Sequence, residues 1–261
     1  MNELLFAFGL TLFAGLATGV GAFLSLVTKR TDAKFLAVSL GFSAGVMIYV
    51  SMIEIFVKAQ VALVAELGAR SGAWATAGGF FAGILLIAVI DRLVPARANP
   101  HEYPHDDAGR QRRLMRMGTM TAVAIAIHNF PEGFATFVAA MQEPSVAIPV
   151  VVAIALHNIP EGISVAVPIY HATGSRRKAF RWAFLSGLAE PVGGVLGYLV
   201  LLPFLDDVLF GVVFASVAGI MVFISLDKLL PTAQEYGEHH LSVYGLVAGM
   251  AVMAVSLLLF V

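Results

Sequence analysis

The chain has 261 residues, of which 59% are hydrophobic and 13% are charged, and its formal net charge is −1. Soluble domains carry about 25% charged residues, so this composition excludes an ordinary water-soluble fold and indicates a membrane protein. A net charge this small argues against nucleic acid as a partner. The lack of cysteine excludes disulfides and thiolate metal ligands.

Eight apolar segments are each long enough to cross a bilayer as a helix, which takes about 20 residues because the backbone has to satisfy its own hydrogen bonds in hydrocarbon. In chain order they lie at 4–28, 35–56, 73–95, 118–140, 147–170, 180–202, 208–231 and 243–261. One sizeable polar connection, at 96–117, contains His101 and His105, which are predicted to be solvated, with a weak metal contact as the alternative. The pattern predicts an all-α integral membrane protein in which residues 1–261 form a single transmembrane domain.

Basic residues are concentrated in the odd-numbered connections. Of the 16 lysines and arginines, three lie in the first connection, five in the third and four in or next to the fifth. Because loops rich in lysine and arginine stay in the cytoplasm, the odd connections are predicted to be cytoplasmic. Both termini are then predicted to lie outside.

The sequence resembles itself at long range. Residues 13–24 (FAGLATGVGAFL) align with 185–196 (LSGLAEPVGGVL), and residues 44–51 (AGVMIYVS) align with 218–225 (AGIMVFIS). Spans 1 and 2 thus match spans 6 and 7, which run in the opposite direction. Coincidence among helices rich in Gly, Ala and Val is the alternative. An inverted repeat predicts a binding site near the middle of the membrane and alternating access to it.

Spans 4 and 5 each carry an HNxPEG motif, HNFPEG at 128–133 and HNIPEG at 157–162. Positions i and i+4 share a helix face, so the histidine and the glutamate of each motif point the same way, with the asparagine beside them. The proline lacks an N–H and is predicted to kink its helix, and the glycine permits close packing. A hydrogen-bonded kink is the structural alternative, but two copies in adjacent antiparallel helices favour a metal site. The candidate ligands are His128, Asn129, Glu132, His157, Asn158 and Glu161.

Further acidic residues lie in the predicted spans, where a charge is costly unless it is paired or ligated. Glu190, in GLAEPVGG, is predicted to be a further metal ligand, with helix packing as the alternative. Glu54, in SMIEI, is a candidate for lining the path. Asp227 and Lys228 are interpreted as an interfacial ion pair.

Imidazole, amide and carboxylate groups together suit Zn²⁺, Fe²⁺, Co²⁺, Mn²⁺ or Cd²⁺ better than Mg²⁺ or Ca²⁺. Two facing glutamates do not both ionise when the metal site between them is empty. Metal entry is therefore expected to expel protons.

HNFPEG and HNIPEG in consecutive helices, followed by SGLAEP, resemble the ZIP family of divalent-metal transporters, and are most similar to its bacterial ZupT-like branch. The likeness extends to LGFSAGVM in span 2, IDRLVP in span 3 and VAGIMVFISLDKLLP in span 7. It implies eight spans in a 3+2+3 arrangement, a homodimer, and uptake of zinc, iron, manganese or cobalt through the cell inner membrane. No prosthetic group is implied.

The resemblance also implies a binuclear site on spans 4, 5 and 6. One metal position would use His128, Glu132, His157 and Glu161, with Glu54 from span 2. The other would use Asn129, Glu132, Asn158, Glu161 and Glu190, with the two shared glutamates bridging. Two residues depart from the family pattern, Val57 where relatives often have proline and Lys228 where they often have glutamate.

Two other classes of function compete with a carrier. An intramembrane metalloenzyme needs a base beside the metal and an open coordination position. No HExxH occurs, and asparagine follows each motif histidine where the peptidase motif has its catalytic glutamate. The sequence therefore predicts that the protein is not an enzyme. A channel stays open as an alternative, because channels and carriers use the same ligands.

Overall fold

The computed structural model describes residues 3–27, 33–93, 107–142, 144–201, 206–236 and 239–258. Within these ranges the chain is helical apart from short connections, and it contains no strand. Two π-helical turns, Ser51–Ile55 and Ser225–Leu229, each continue directly from one α-helix into the next. The α-helices are α1 (Glu3–Val27), α2 (Ala33–Val50), α3 (Phe56–Leu67), α4 (Ala69–Leu93), α5 (Asp107–Gln142), α6 (Pro144–Thr173), α7 (Arg176–Gly187), α8 (Ala189–Leu201), α9 (Asp207–Ile224), α10 (Leu230–Tyr236) and α11 (His239–Leu258).

Eight helical stretches of the described chain are long and apolar enough to cross a membrane. The predicted all-α fold with eight membrane-spanning segments is therefore confirmed. Large apolar side chains cover the outside of the bundle, among them Trp74, Phe81 and Leu199, which are 74%, 65% and 62% exposed. Such a surface suits lipid and would be unfavourable in water.

Two predicted boundaries are wrong. The second span continues through α3 to Leu67, so the residues from Val57 to Leu67 are helical and not part of a connection. Only Gly68 separates α3 from α4, and its φ of 81° is a conformation that glycine adopts without strain. At the other end of the third span, α5 already begins at Asp107, so the second half of the predicted 96–117 connection is helical. His101 and His105 lie outside the described residues.

The helices pack in two groups. Helices α1, α5, α6, α7 and α8 contact one another and are called the motif bundle below, because α5 and α6 carry the HNxPEG motifs. Helices α2, α3, α4, α9, α10 and α11 form the flanking bundle. The two bundles meet mainly where α2 packs on α6 and where α5 packs on α9.

Close helix contacts follow the sequence repeat. A Cβ atom on Gly162 of the second motif would overlap the carbonyl oxygen of Thr18, and a Cβ atom on Gly133 of the first motif would overlap that of Glu190. Thr18 and Glu190 occupy equivalent positions in the aligned segments. Each motif therefore packs against the matching turn of a repeat-related helix, while the 3+2+3 grouping stays a prediction.

The two π-helical turns also occupy equivalent places in spans 2 and 7. Each begins at a serine whose hydroxyl donates to the carbonyl four residues earlier, over 2.6 Å from Ser51 to Met47 and 2.7 Å from Ser225 to Met221. π-helical turns inside α-helices are often found at functional sites. The first turn carries Glu54 and the second carries Lys228.

Candidate metal site

The two HNxPEG motifs are joined by crossed pairs between α5 and α6. His128 Nε2 lies 3.1 Å from Glu161 Oε1, and His157 Nε2 lies 3.3 Å from Glu132 Oε1. All four side chains are at most 1% exposed. Each histidine thus faces the glutamate of the other motif.

The two crossed pairs differ in their hydrogen bonds. His128 Nδ1 lies 3.2 Å from the carbonyl oxygen of Ala124, and because a carbonyl only accepts, Nδ1 carries a proton and donates it. His128 Nε2 also lies within hydrogen-bond distance of Glu161 Oε1, a contact that requires a proton on one of the two groups, and we call this the closed pair. The other pair is open, because no nitrogen of His157 and no oxygen of Glu132 makes a hydrogen bond.

Glu190 joins the motifs from α8. Its Oε2 accepts a 2.8 Å hydrogen bond from Asn158 Nδ2, which also donates to the carbonyl oxygen of Ala14 over 2.9 Å. Asn129 Nδ2 donates over 3.4 Å to the carbonyl oxygen of Ser186. Ser186 and Ala14 occupy equivalent positions in the sequence repeat. Span 6 is interrupted between α7 and α8, and this places fully buried Glu190 in the first turn of α8, against the second motif.

Unsatisfied polar atoms are concentrated at this place. Among the described residues, the buried side-chain nitrogen and oxygen atoms without a hydrogen-bond partner all belong to motif residues, to Glu190 or to Thr18. Leaving one such atom unpaired costs about 1–3 kcal/mol. The oxygens among the motif residues and Glu190 are acceptors, so a cation is what they lack. They are Asn129 Oδ1, Glu132 Oε1 and Oε2, Asn158 Oδ1, Glu161 Oε2 and Glu190 Oε1.

The motif side chains do not form a preformed metal-binding site. In the part of the chain that the structure describes, no three histidine or acidic side chains are grouped so that they could hold a metal ion together. In the closed pair His128 Nε2 and Glu161 Oε1 contact each other, so a metal ion bound by these two atoms would replace that contact. A metal ion held by both motifs would therefore require these side chains to move.

Glu54 is placed differently from the other predicted ligands. Its Oε1 lies 2.7 Å from Lys58 Nζ, and the side chains are 21% and 35% exposed. Glu54 and Lys58 line a cavity of about 20 Å³, which Glu132 also lines. We call this the Glu54 cavity. It connects the predicted span-2 ligand to the open pair of the site.

A larger cavity approaches the motifs from the opposite direction along α5 and α6. Its volume is about 160 Å³, and its lining includes Ala124, Ser164 and Lys228. Ala124 is the carbonyl partner of His128, and the Ser164 hydroxyl donates to the carbonyl oxygen of Glu161 over 2.6 Å. We call this the Lys228 cavity. Lys228 Nζ also lies 3.1 Å from Asp227 Oδ2, the ion pair predicted from the sequence.

Sequence reasoning missed two residues of this region. Thr18 is fully buried with an unpartnered hydroxyl, and its alignment with Glu190 in the repeat was the signal that could have revealed it. Lys58 follows Glu54 by four residues, the spacing of an ion pair on a helix. It was overlooked because the second span was predicted to end at residue 56.

An eight-span helical bundle with buried carboxylate, imidazole and amide donors between two cavities defines a membrane transporter of metal cations. A sequence model of the ZIP zinc transporter family matches residues 95–257. A protein of Streptococcus mutans named zinc transporter ZupT is 60% identical over 264 residues, covering 100% of both chains.

A protein with the same name from Lysinibacillus sphaericus is 61% identical, and the match covers 100% of this chain and 99% of that protein. Another from Clostridium perfringens is 56% identical, and the match covers 100% of this chain and 98% of that protein. The chain therefore belongs to the ZIP family. Members of this family are transporters, so the metalloenzyme alternative is excluded.

Proposed function

We propose that this protein carries Zn²⁺ into the cell across the cytoplasmic membrane by alternating access. The observation that carries the proposal is the group of buried, unpartnered oxygens beside two histidines in the middle of a helical bundle. The names of the relatives support zinc as the cargo. The donor set also suits Fe²⁺, Mn²⁺, Co²⁺ and Cd²⁺, and we propose these as further substrates.

The proposed site is binuclear, with Glu132 and Glu161 bridging two ions. The first ion would be bound by the histidines of both motifs, and the carboxylate of Glu54 would join from span 2. The second would be bound by the Asn129 and Asn158 oxygens and by Glu190. The free Oδ1 atoms of both asparagines support the second position, since each amide already uses its Nδ2 to fix its orientation.

The packing supports a carrier more than a channel. The site lies between two separate cavities, and the motif bundle is closely packed within itself but meets the flanking bundle along fewer helices. Movement of the motif bundle against the flanking bundle would expose the site to one cavity at a time.

The remaining features of the assembly are proposals that rest on the sequence. We propose one transmembrane domain over residues 1–261, with both termini outside and the odd-numbered connections in the cytoplasm. The homodimer implied by the family resemblance is also proposed. Mass measurement of the protein in detergent tests the dimer, and labelling of cysteines introduced near each terminus tests the orientation.

Transport in reconstituted liposomes tests the central proposal. We expect saturable zinc uptake that is lost in Glu132→Gln and preserved in Glu66→Gln, a matched change at an exposed glutamate of α3. Flux that rises linearly with zinc concentration would support the channel. Full uptake by Glu132→Gln would contradict the proposed site. Competition by each other divalent metal against zinc uptake then defines the substrate range.

A further inference from the structure

Lys58 lies inside a membrane-spanning helix. The second span runs from Ala37 to Leu67, and Lys58 precedes its end by nine residues, which is about 13 Å along a helix axis. A lysine in a membrane-spanning helix is stabilised by an ion pair or by reaching water. Lys58 is paired, because its ammonium group contacts Glu54 at 2.7 Å, and its side chain also lines the Glu54 cavity.

The cavity brings this ammonium group to the same space as the metal site. Glu132 lines it as well, and both oxygens of Glu132 are buried without a hydrogen-bond partner. The other lining residues are mainly apolar: Ile55, Ala135, Ala139, Val150, Ile154, Phe214 and Val217, besides Thr136. A volume of about 20 Å³ accommodates about one water-sized group. Lys58 is thus the cation paired with Glu54 at a cavity that also reaches Glu132.

We propose that Lys58 is a built-in competitor for the transported metal ion, which reaches the site by displacing the ammonium group from Glu54. This inference rests on the proposed transport function and adds a residue that sets its selectivity. Lysine suits the role, since its ammonium is a compact charge on a flexible stem and can move aside while still attached. The Glu54–Lys58 pair is partly exposed and therefore weak, so a divalent ion with high affinity for carboxylate displaces it.

The competitor has a predictable effect on selectivity. A cation that gains little from one carboxylate, such as the strongly hydrated Mg²⁺, does not displace Lys58 and stays outside. Zn²⁺ gains more, because the motif histidines and glutamates lie next along its path. Removing the ammonium should raise the apparent affinity for zinc and weaken the discrimination against Mg²⁺.

Zinc uptake into liposomes by Lys58→Met tests this, because methionine keeps much of the length and loses the charge. We expect a KM for zinc about two- to fivefold lower than in the unsubstituted protein, the range of a partly exposed ion pair, and stronger inhibition of zinc uptake by Mg²⁺. Lys58→Arg should stay close to the unsubstituted protein. Lys178→Met, at an exposed position of α7, is the matched control and should change neither value.

The double variant Lys58→Met/Glu54→Gln separates local competition from a general charge effect. If Lys58 acts on Glu54, its removal has no further effect once Glu54 is an amide. The inference is overturned if Lys58→Met lowers the KM for zinc equally in the unsubstituted protein and in Glu54→Gln, or if Lys58→Met leaves this KM unchanged. Neither result contradicts zinc transport by the unsubstituted protein. Absence of saturable zinc uptake by the unsubstituted protein contradicts the proposed function instead. Zinc titration calorimetry on detergent-solubilised variants gives a second measure of the same shift.

Discussion

Zinc binding is expected to release at least one proton from the closed His128–Glu161 pair. The Nδ1 proton of His128 is directed to the carbonyl oxygen of Ala124 and does not have to leave. The proton between Nε2 and Glu161 Oε1 has to leave, because a metal ion takes the lone pairs that it occupies. The structure therefore predicts about one proton released per zinc bound at this pair.

Glu161→Gln is the informative perturbation. The amide has almost the same shape, and its N–H donates to His128 Nε2 without storing an exchangeable acidic proton. We expect the number of protons released per zinc to fall by about one relative to the unsubstituted protein. Calorimetry of zinc binding in several buffers of different ionisation enthalpy measures this number for each variant.

Glu66→Gln provides the control, since Glu66 is exposed at the end of α3 and should leave proton release unchanged. Zinc binding to the unsubstituted protein without any proton release would refute the protonated pair. The same number of protons from Glu161→Gln would show that the proton comes from another group.

Three further predictions concern packing and orientation around the site. Gly133→Ala forces a Cβ into the carbonyl of Glu190 and should destabilise the protein by about 1–3 kcal/mol in thermal unfolding, whereas Gly78→Ala, with open space around it, should not. Asn158→Ala removes both a proposed oxygen ligand and the donor to the Glu190 carboxylate and should reduce zinc uptake at limiting zinc about tenfold; unchanged uptake would show that neither is needed. Thr18→Val should leave the unfolding temperature the same or higher, because its buried hydroxyl has no partner, and a clear decrease would show that it has one.

The sequence was sufficient for the number of spans and for the members of the motif pairs. Hydropathy counts apolar residues directly, and the i, i+4 spacing places His128 and Glu132 on one helix face. It did not predict that His128 would pair with Glu161 of the other motif. That choice depends on the relative rotation and height of α5 and α6, which the spacing within one motif does not specify.

The error at the end of the second span and the helical second half of the predicted 96–117 connection have a common cause. Lys58 and the basic residues after Asp107 interrupt the apolar pattern, and hydropathy alone ends a span at such residues. Helix formation continues through them, since lysine and arginine are good helix formers and Lys58 has Glu54 as a partner. The π-helical turn at Ser51–Ile55 was also beyond the sequence argument, because it shifts the facing of Glu54 from that of a regular helix.

The closed pair has a consequence for the half of the cycle in which nothing is carried. In the proposed cycle the empty site turns back towards the side that loads the ion, and unpaired carboxylates and imidazolium ions inside a membrane protein are unfavourable. In the His128–Glu161 hydrogen bond the two side chains neutralise each other. Under the proposed mechanism this pairing compensates one buried carboxylate of the unloaded site, whereas Glu132 keeps both oxygens unpartnered for the incoming ion.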